Sequence, residues 1–240
     1  MVFSMGVNTM DPKSKGMKYD HKRFFESGDY TSHFHPEDED NPFRNLYEEK
    51  KRFVVEFAGG ERLRILDLGG GFGRHSALLS GSHDVILADL SPQMLRRAAR
   101  DNIHLMGRVM NCDAEALPFK NGQFDLILAL DLLCHLPMPQ NALAEIRRVL
   151  RPKGRFLVDS SNKNPWWMLA YPRYVHPIRR PLRFIRTFIG GGVLPGWQHR
   201  VWHYHRKDFY KLIEGSGFRV VDRRDFGPKY SPKWHLAICA

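Results

Sequence analysis

From about residue 62 onward, short apolar runs alternate with longer amphipathic stretches. RLRILDL (62–68), DVILADL (84–90), GRVMNC (107–112), FDLILAL (124–130) and GRFLVDS (154–160) are brief and mostly continuous in their apolar character. Runs of that length suit strands buried on both faces, and the helical stretches between most of them predict a parallel sheet covered on both sides. Ahead of them, FRNLYEEKKRFVVEFA (43–58) reads as a helix stopped by Gly59 and Gly60, with Asn41 as its cap and Pro42 in its first position. Behind them, RKDFYKLIEGSGF (206–218) reads as a helix ending in glycines. FRVVDRRDF and WHLAICA then read as two strands joined through Gly227 and Pro228, an antiparallel hairpin closing the sheet.

Two segments depart from the alternation. Residues 1–40 are polar and run into the acidic stretch HPEDEDNP, which predicts a mobile arm. Residues 161–205 interrupt the pattern after the fifth strand. The expected organisation is therefore one α/β domain over 41–240 that carries 161–205 as an insertion. A chain of 240 residues with 42% hydrophobic residues is ample for such a core.

Charge sharpens the picture of the insertion. The formal net charge is +11, yet Ser160 to Lys207 holds nine Lys/Arg and no acid, and the rest of the chain has 28 bases against 26 acids. The same 48 residues hold four of the five tryptophans. The partner this suggests is anionic, whether a small molecule, a lipid surface or nucleic acid. The basic excess is confined to one insertion and no RNA-binding module accompanies it, which weighs against nucleic acid. The three cysteines, Cys112, Cys134 and Cys239, lie far apart without zinc or disulfide spacing, so a reducing cytoplasm is expected. No stretch reaches the roughly 18 apolar residues of a membrane span, so contact with a membrane would be peripheral.

The chemistry concentrates where the first apolar run ends. ILDLGGGFGRH places an acid and several glycines at the turn from strand to helix, the edge where open α/β sheets bind ligands. A dinucleotide fingerprint G-x-G-x-x-G/A counted from Gly69 would need a glycine or alanine where Arg74 stands. Counted from Asp67, the stretch is D-x-G-x-G-x-G. In this form it resembles motif I of the class I S-adenosylmethionine (SAM)-dependent methyltransferases, and VILADLSPQML, NCDAEALPF and FDLILALDLLCHLP follow in that family's order.

The resemblance is closest to the small-molecule subgroup that includes quinone methyltransferases. It covers roughly residues 63–160 and, more loosely, 206–240. It implies a Rossmann-like, seven-stranded, mostly parallel sheet with a C-terminal antiparallel hairpin and helices on both faces; it does not explain the insertion after the fifth strand, which is expected from its own residues to form a lid. It also implies a cofactor site. Asp67, Gly69, Gly71 and Gly73 would lie beside the methionine part of SAM, and Asp89 with Leu90 at the ribose. Asp113 and Ala114 would lie at the adenine, with Leu130 on the strand facing the donor. A carboxylate at Asp89 suits this role because it accepts two hydrogen bonds from a cis-diol. Ser91 and Pro92 are expected as N-cap and first residue of the next helix.

Methyl transfer is an in-line displacement that depends largely on positioning. A base is needed only when the acceptor must lose a proton. His135, after the fourth strand, is the first candidate, with a structural role in bracing the loop as the alternative; Asp131 is the second. His199, His203 and His205 have a ligand-like spacing but no acid beside them, so no metal is assigned. Within the insertion Leu182, Ile185 and Ile189 share a helical face, with Arg179, Arg183 and Arg186 alongside. These arginines, with Trp202 and His203, are the expected acceptor-binding residues. A membrane-surface helix fits the same pattern, and so does a solvated basic face. The function expected is methyl transfer from SAM, with S-adenosylhomocysteine as product, to a small or lipid-linked, anionic or aromatic acceptor. RNA methylation and non-catalytic SAM binding stand as alternatives.

Overall fold

The computed structural model describes residues 44–162, 202–227 and 234–240. Residues Arg44–Ala58 form α1, and the sheet begins with β1 (Arg64–Leu68), α2 (Arg74–Leu79) and β2 (Asp84–Asp89). It continues through α3 (Pro92–Asp101), β3 (Val109–Asn111), β4 (Phe124–Ala129), α4 (Pro139–Val149) and β5 (Leu150–Ser161). The last described elements are α5 (Arg206–Gly215), β6 (Val220–Phe226) and β7 (Trp234–Cys239). The strand order is β3-β2-β1-β4-β5-β7-β6. The first five strands pair in parallel, and β7 runs antiparallel to both β5 and β6. The seven-stranded sheet with its antiparallel end is the architecture the sequence implied.

Side-chain alternation along the strands explains the two layers. Ile127 and Ala129 of β4 and Val158 of β5 face α4 and α5, packing with Leu143, Ile146, Phe209 and Ile213. Leu126 and Leu128 turn the other way with Leu157 and Trp234, toward Leu46, Tyr47 and Val54 of α1. A period of two therefore feeds both cores from the same strands, which is why these runs contain so few polar residues. At the β2–β3 side, Leu95 and Ala98 of α3 pack on Leu87 and Leu105. The order reverses between β1 and β4, since β2 and β3 lie on one side of β1 while β4 lies on the other. That switch opens a crevice at the strands' carboxyl ends.

Several local expectations hold in detail. Ser91 caps α3, its Oγ accepting from the Met94 amide at 3.3 Å, and Pro92 occupies the first turn. Asn41 and Pro42, the arm at 1–40, Arg179, Arg183, Arg186 and most of the insertion lie outside the described residues. Among the described residues no helix is long and apolar enough to cross a membrane.

Candidate active site

The crevice is a pocket lined by segments from four strand ends. Gly69, Gly70 and Gly71 follow β1, Asp89 and Leu90 end β2, Asp113 and Ala114 follow β3, and Leu130, Asp131 and His135 follow β4. The first wall is built by backbone conformation. Gly69, Gly71 and Gly73 have φ of 71°, 56° and 74°, left-handed values that side chains with a Cβ tolerate poorly. A Cβ on Gly71 would meet nothing within 4 Å, so this glycine leaves its main chain open to the pocket. Gly70 has a different reason for lacking a side chain: its Cβ would come within 2.5 Å of Leu87 and 2.7 Å of the Asp67 carboxyl carbon. The D-x-G-x-G-x-G spacing passes over this residue.

Asp67 and Gly73 belong to the support of this wall. Neither lines the pocket. Asp67 is buried, and its Oδ2 accepts from the Ser76 amide at 3.1 Å and the Ser76 hydroxyl at 2.7 Å, tying β1 to the first turns of α2. Burial pushes its pKa up to about 6, against the opposing pull of those two hydrogen bonds. Gly73 is the N-cap of α2, packed against Leu105, Leu87 and Ala98.

Asp89 does line the pocket. Its Oδ2 accepts from the Gly71 amide at 2.9 Å and its Oδ1 from the Ser91 amide at 2.8 Å. Burial raises its pKa, while the amides of Ser91, Gly71 and Leu90 favour the ionised form. A carboxylate has about four acceptor positions, so each oxygen keeps a lone pair for a ligand hydroxyl. Asp113 closes a turn, with its Oδ1 accepting from the Glu115 amide at 2.9 Å and its main chain bridging to Ala116. Cys112 also lines the pocket, and burial pushes its thiol up to about 11, so it is protonated near neutrality.

The opposite wall is the loop after β4. His135 ends a short 3-10 turn, its amide donating to the Leu132 carbonyl at 2.9 Å, and it lies on the pocket lining. His75, from the first turn of α2, is also on the lining. Desolvation, with Arg74 and Lys50 adding to it, pushes its pKa down to about 3, so the ring is neutral. Trp202 and His203 do not line the pocket but lie beside this loop. The Trp202 amide donates to the Cys134 carbonyl at 2.8 Å, and Tyr204 bridges to Asn162 at the end of β5. Among the described residues no group of three or more His, Cys, Asp or Glu is gathered for a metal ion, and His199 lies outside them.

Sequence reasoning missed a polar cluster behind this wall. Lys50 of α1 is buried, its side chain 1% exposed, and its Nζ donates to Asp131 at 3.0 Å and also to Asp159 of β5. The ammonium sits 4.5 Å from the centre of the Trp234 ring. Burial works to lower the Lys50 pKa, but Asp131 and Asp159 together hold it above the ordinary lysine value. Burial likewise raises the Asp159 carboxyl, against the pull of Lys50. A signal was available, since Lys50 falls on the buried face of α1 with Tyr47 and Val54, at i, i+3 and i+7. A lysine in an apolar stripe requires a buried partner.

Residues 66–158 match a family model described as a methyltransferase domain. The chain is 39% identical over 135 residues to the ubiquinone/menaquinone biosynthesis C-methyltransferase UbiE of Erwinia tasmaniensis, covering 52% of this chain and 54% of that protein. The corresponding UbiE of Pasteurella multocida is 34% identical over 154 residues, with 60% and 53% covered. The chain thus spans about half the length of the curated relatives it matches. Among solved structures, a Burkholderia thailandensis 1,6-didemethyltoxoflavin-N1-methyltransferase, bound to 1,6-didemethyltoxoflavin and S-adenosylhomocysteine, superposes with TM-score 0.66 at 19% identity. That match covers 97% of this chain and 92% of the other. The [4+2]-cyclase SpnF superposes with TM-score 0.60 at 18% identity, covering 80% and 79%. At such identities these two likenesses speak for the fold alone, and the cyclase shows that the fold serves more than one named activity.

Proposed function

We propose that the chain, whose residues 66–158 match a methyltransferase domain and whose seven-stranded fold agrees with that match, is a class I SAM-dependent methyltransferase that transfers the methyl group of SAM to a carbon of a small, lipid-linked aromatic acceptor of the quinone type. The observation that carries the cofactor reading is the Asp89 carboxylate. Two backbone amides fix it on the pocket wall, beside the open main chain of Gly71. These residues fit the cofactor: Asp89 for the ribose hydroxyls, Leu90 beside them, Asp113 and Ala114 for the adenine, and Gly69 and Gly71 for the methionine part. SAM, when bound, supplies an electrophilic methyl group. Asp67, Gly70 and Gly73 hold the loop in shape behind it.

The protein's remaining tasks are to orient the acceptor and exclude water. Leu130, Leu132 and Leu136 give the β4 side of the pocket an apolar lining suited to an aromatic ring. The carbon acceptor is inferred from the names of the UbiE relatives, and it agrees with that lining. The insertion at 161–205 acts in this reading as the acceptor lid, with Arg179, Arg183 and Arg186 for a charged group or headgroup and Trp202 and His203 at its base. His135 braces the β4 loop against the ligand.

The test is calorimetry with S-adenosylhomocysteine, followed by transfer of labelled methyl from SAM to reduced, polyprenylated benzoquinols and naphthoquinols. Micromolar cofactor binding and label recovered on ring carbon are expected. Label on oxygen or nitrogen would overturn the carbon assignment, and absence of cofactor binding would overturn the whole reading.

A further inference from the structure

His75 is the second residue of α2 and lies on the pocket lining, half-buried. Among the described residues its ring makes no hydrogen bond, and neither ring nitrogen is sealed from open space. A polar ring held there is partly stripped of water with no protein partner to offset the loss. That combination suits a group kept for a ligand.

Its surroundings place it along the pocket. The charges that bear most on His75 are Arg74 of α2, Lys50 and Lys51 of α1, and Asp131 after β4; neither Asp89 nor Asp67 is among them. His75 therefore stands at the α1–β4 end, away from the carboxylate assigned to the ribose. Lys50 is engaged by Asp131 and Asp159, and Lys51 by Glu48 at 3.0 Å. Arg74 lines the same pocket, its guanidinium carbon 5.0 Å from the centre of the Tyr47 ring, and makes no ion pair among the described residues. Of the four charges three are cations, so this end disfavours a ligand ammonium. Burial and those cations also keep the His75 ring neutral. A neutral imidazole has one N–H to donate and one lone pair to accept, and an aromatic hydroxyl has the same two capacities.

We propose that His75 is a specificity-determining residue that hydrogen-bonds a ring hydroxyl of the acceptor, with Arg74 beside it favouring an oxygen over a cationic nitrogen. This rests on the methyltransferase reading above and narrows it to a hydroxylated aromatic acceptor, bound with its hydroxyl at the α1–β4 end of the pocket. A ring with a pKa of about 3 is a weak base, so His75 holds the hydroxyl and leaves its proton in place. Its contribution is to binding and orientation. An analogue without the hydroxyl leaves the His75 ring unpaired in the occupied pocket and binds less tightly for that reason.

The test measures binding of 1-naphthol and of naphthalene, which lacks the hydroxyl, by equilibrium dialysis on protein saturated with S-adenosylhomocysteine. The unaltered protein is expected to hold naphthol about fivefold or more tighter, within the range for one hydrogen bond. His75→Phe keeps a planar ring and removes both hydrogen-bonding atoms, so its preference should fall to about twofold or less, with cofactor affinity held within about threefold. His75→Leu, smaller than the native ring, gives the same comparison should the phenylalanine variant not fold. His75→Gln, whose amide both donates and accepts, should recover a preference of about threefold or more. A smaller preference in the unaltered protein, a larger one in the apolar variants, or no recovery in His75→Gln overturns this proposal alone. So does a loss of cofactor affinity beyond about threefold in the apolar variants, which would give His75 to the cofactor. Failure of the unaltered protein to bind S-adenosylhomocysteine overturns it together with the methyltransferase reading.

Discussion

Asp89 shows how one side chain can carry a site. Its oxygens are already fixed by the Gly71 and Ser91 amides, so in the proposed ribose role no reorganisation is needed when a diol arrives. Asp89→Ala is expected to lower S-adenosylhomocysteine affinity at least 100-fold by calorimetry, with the far-ultraviolet circular dichroism unchanged; unaltered affinity would remove Asp89 from the ribose role. His75 gives a residue-level prediction in pH. Its folded pKa of about 3 lies below the ordinary histidine value of 6.5. Unfolded chain therefore takes up a proton that folded protein does not as pH falls from 6.5 toward 3. The stability His75 contributes is present above pH 6.5 and lost through that window. Comparing thermal midpoints of the unaltered protein and His75→Gln from pH 7 to 4 cancels the other titrating groups. The variant should show the shallower acid decline, and parallel curves would contradict it.

At the scale of the element, the β1–α2 turn separates two uses of glycine. Gly71 and Gly73 share a left-handed φ, but a Cβ on Gly71 enters open space whereas one on Gly73 meets Leu105 at 2.9 Å and Leu87 at 3.2 Å. Gly73→Ala adds overpacking to backbone strain and is expected to cost about 2–4 kcal/mol in urea denaturation. Gly71→Ala should lose only about 1–2 kcal/mol of stability while weakening cofactor binding more severely, because its methyl group intrudes on the pocket. Equal stability losses would show that the packing difference has no energetic weight. The D-x-G-x-G-x-G spacing announced this turn from sequence. It gave no distinction between a glycine that faces a ligand and one that faces the core, because that depends on residues 14 and 32 positions further along the chain.

Across the whole molecule, charge is divided between a basic insertion and a nearly neutral remainder of the chain, and the proposed lid belongs to this scale. Changing Arg179, Arg183 and Arg186 together to glutamine is expected to weaken co-sedimentation with anionic-lipid vesicles or raise KM for a polyprenylated quinol, with cofactor affinity within about twofold. No change in either measurement would leave the segment a solvated basic face. The sequence by itself determined every strand of the sheet, the glycine turn, the capped start of α3 and the acids that end β2 and follow β3. Each of these is local, written in hydrophobic period, in cap residues or in motif spacing. Tertiary structure alone decided that β7 inserts between β5 and β6, that Asp67 and Gly73 stand behind the pocket while Gly71 faces it, and that Lys50 meets Asp131 and Asp159 across 81 and 109 residues of chain. The reason is physical: a buried lysine is stable only where carboxylates from two other elements arrive together, and their arrival is a property of the folded sheet.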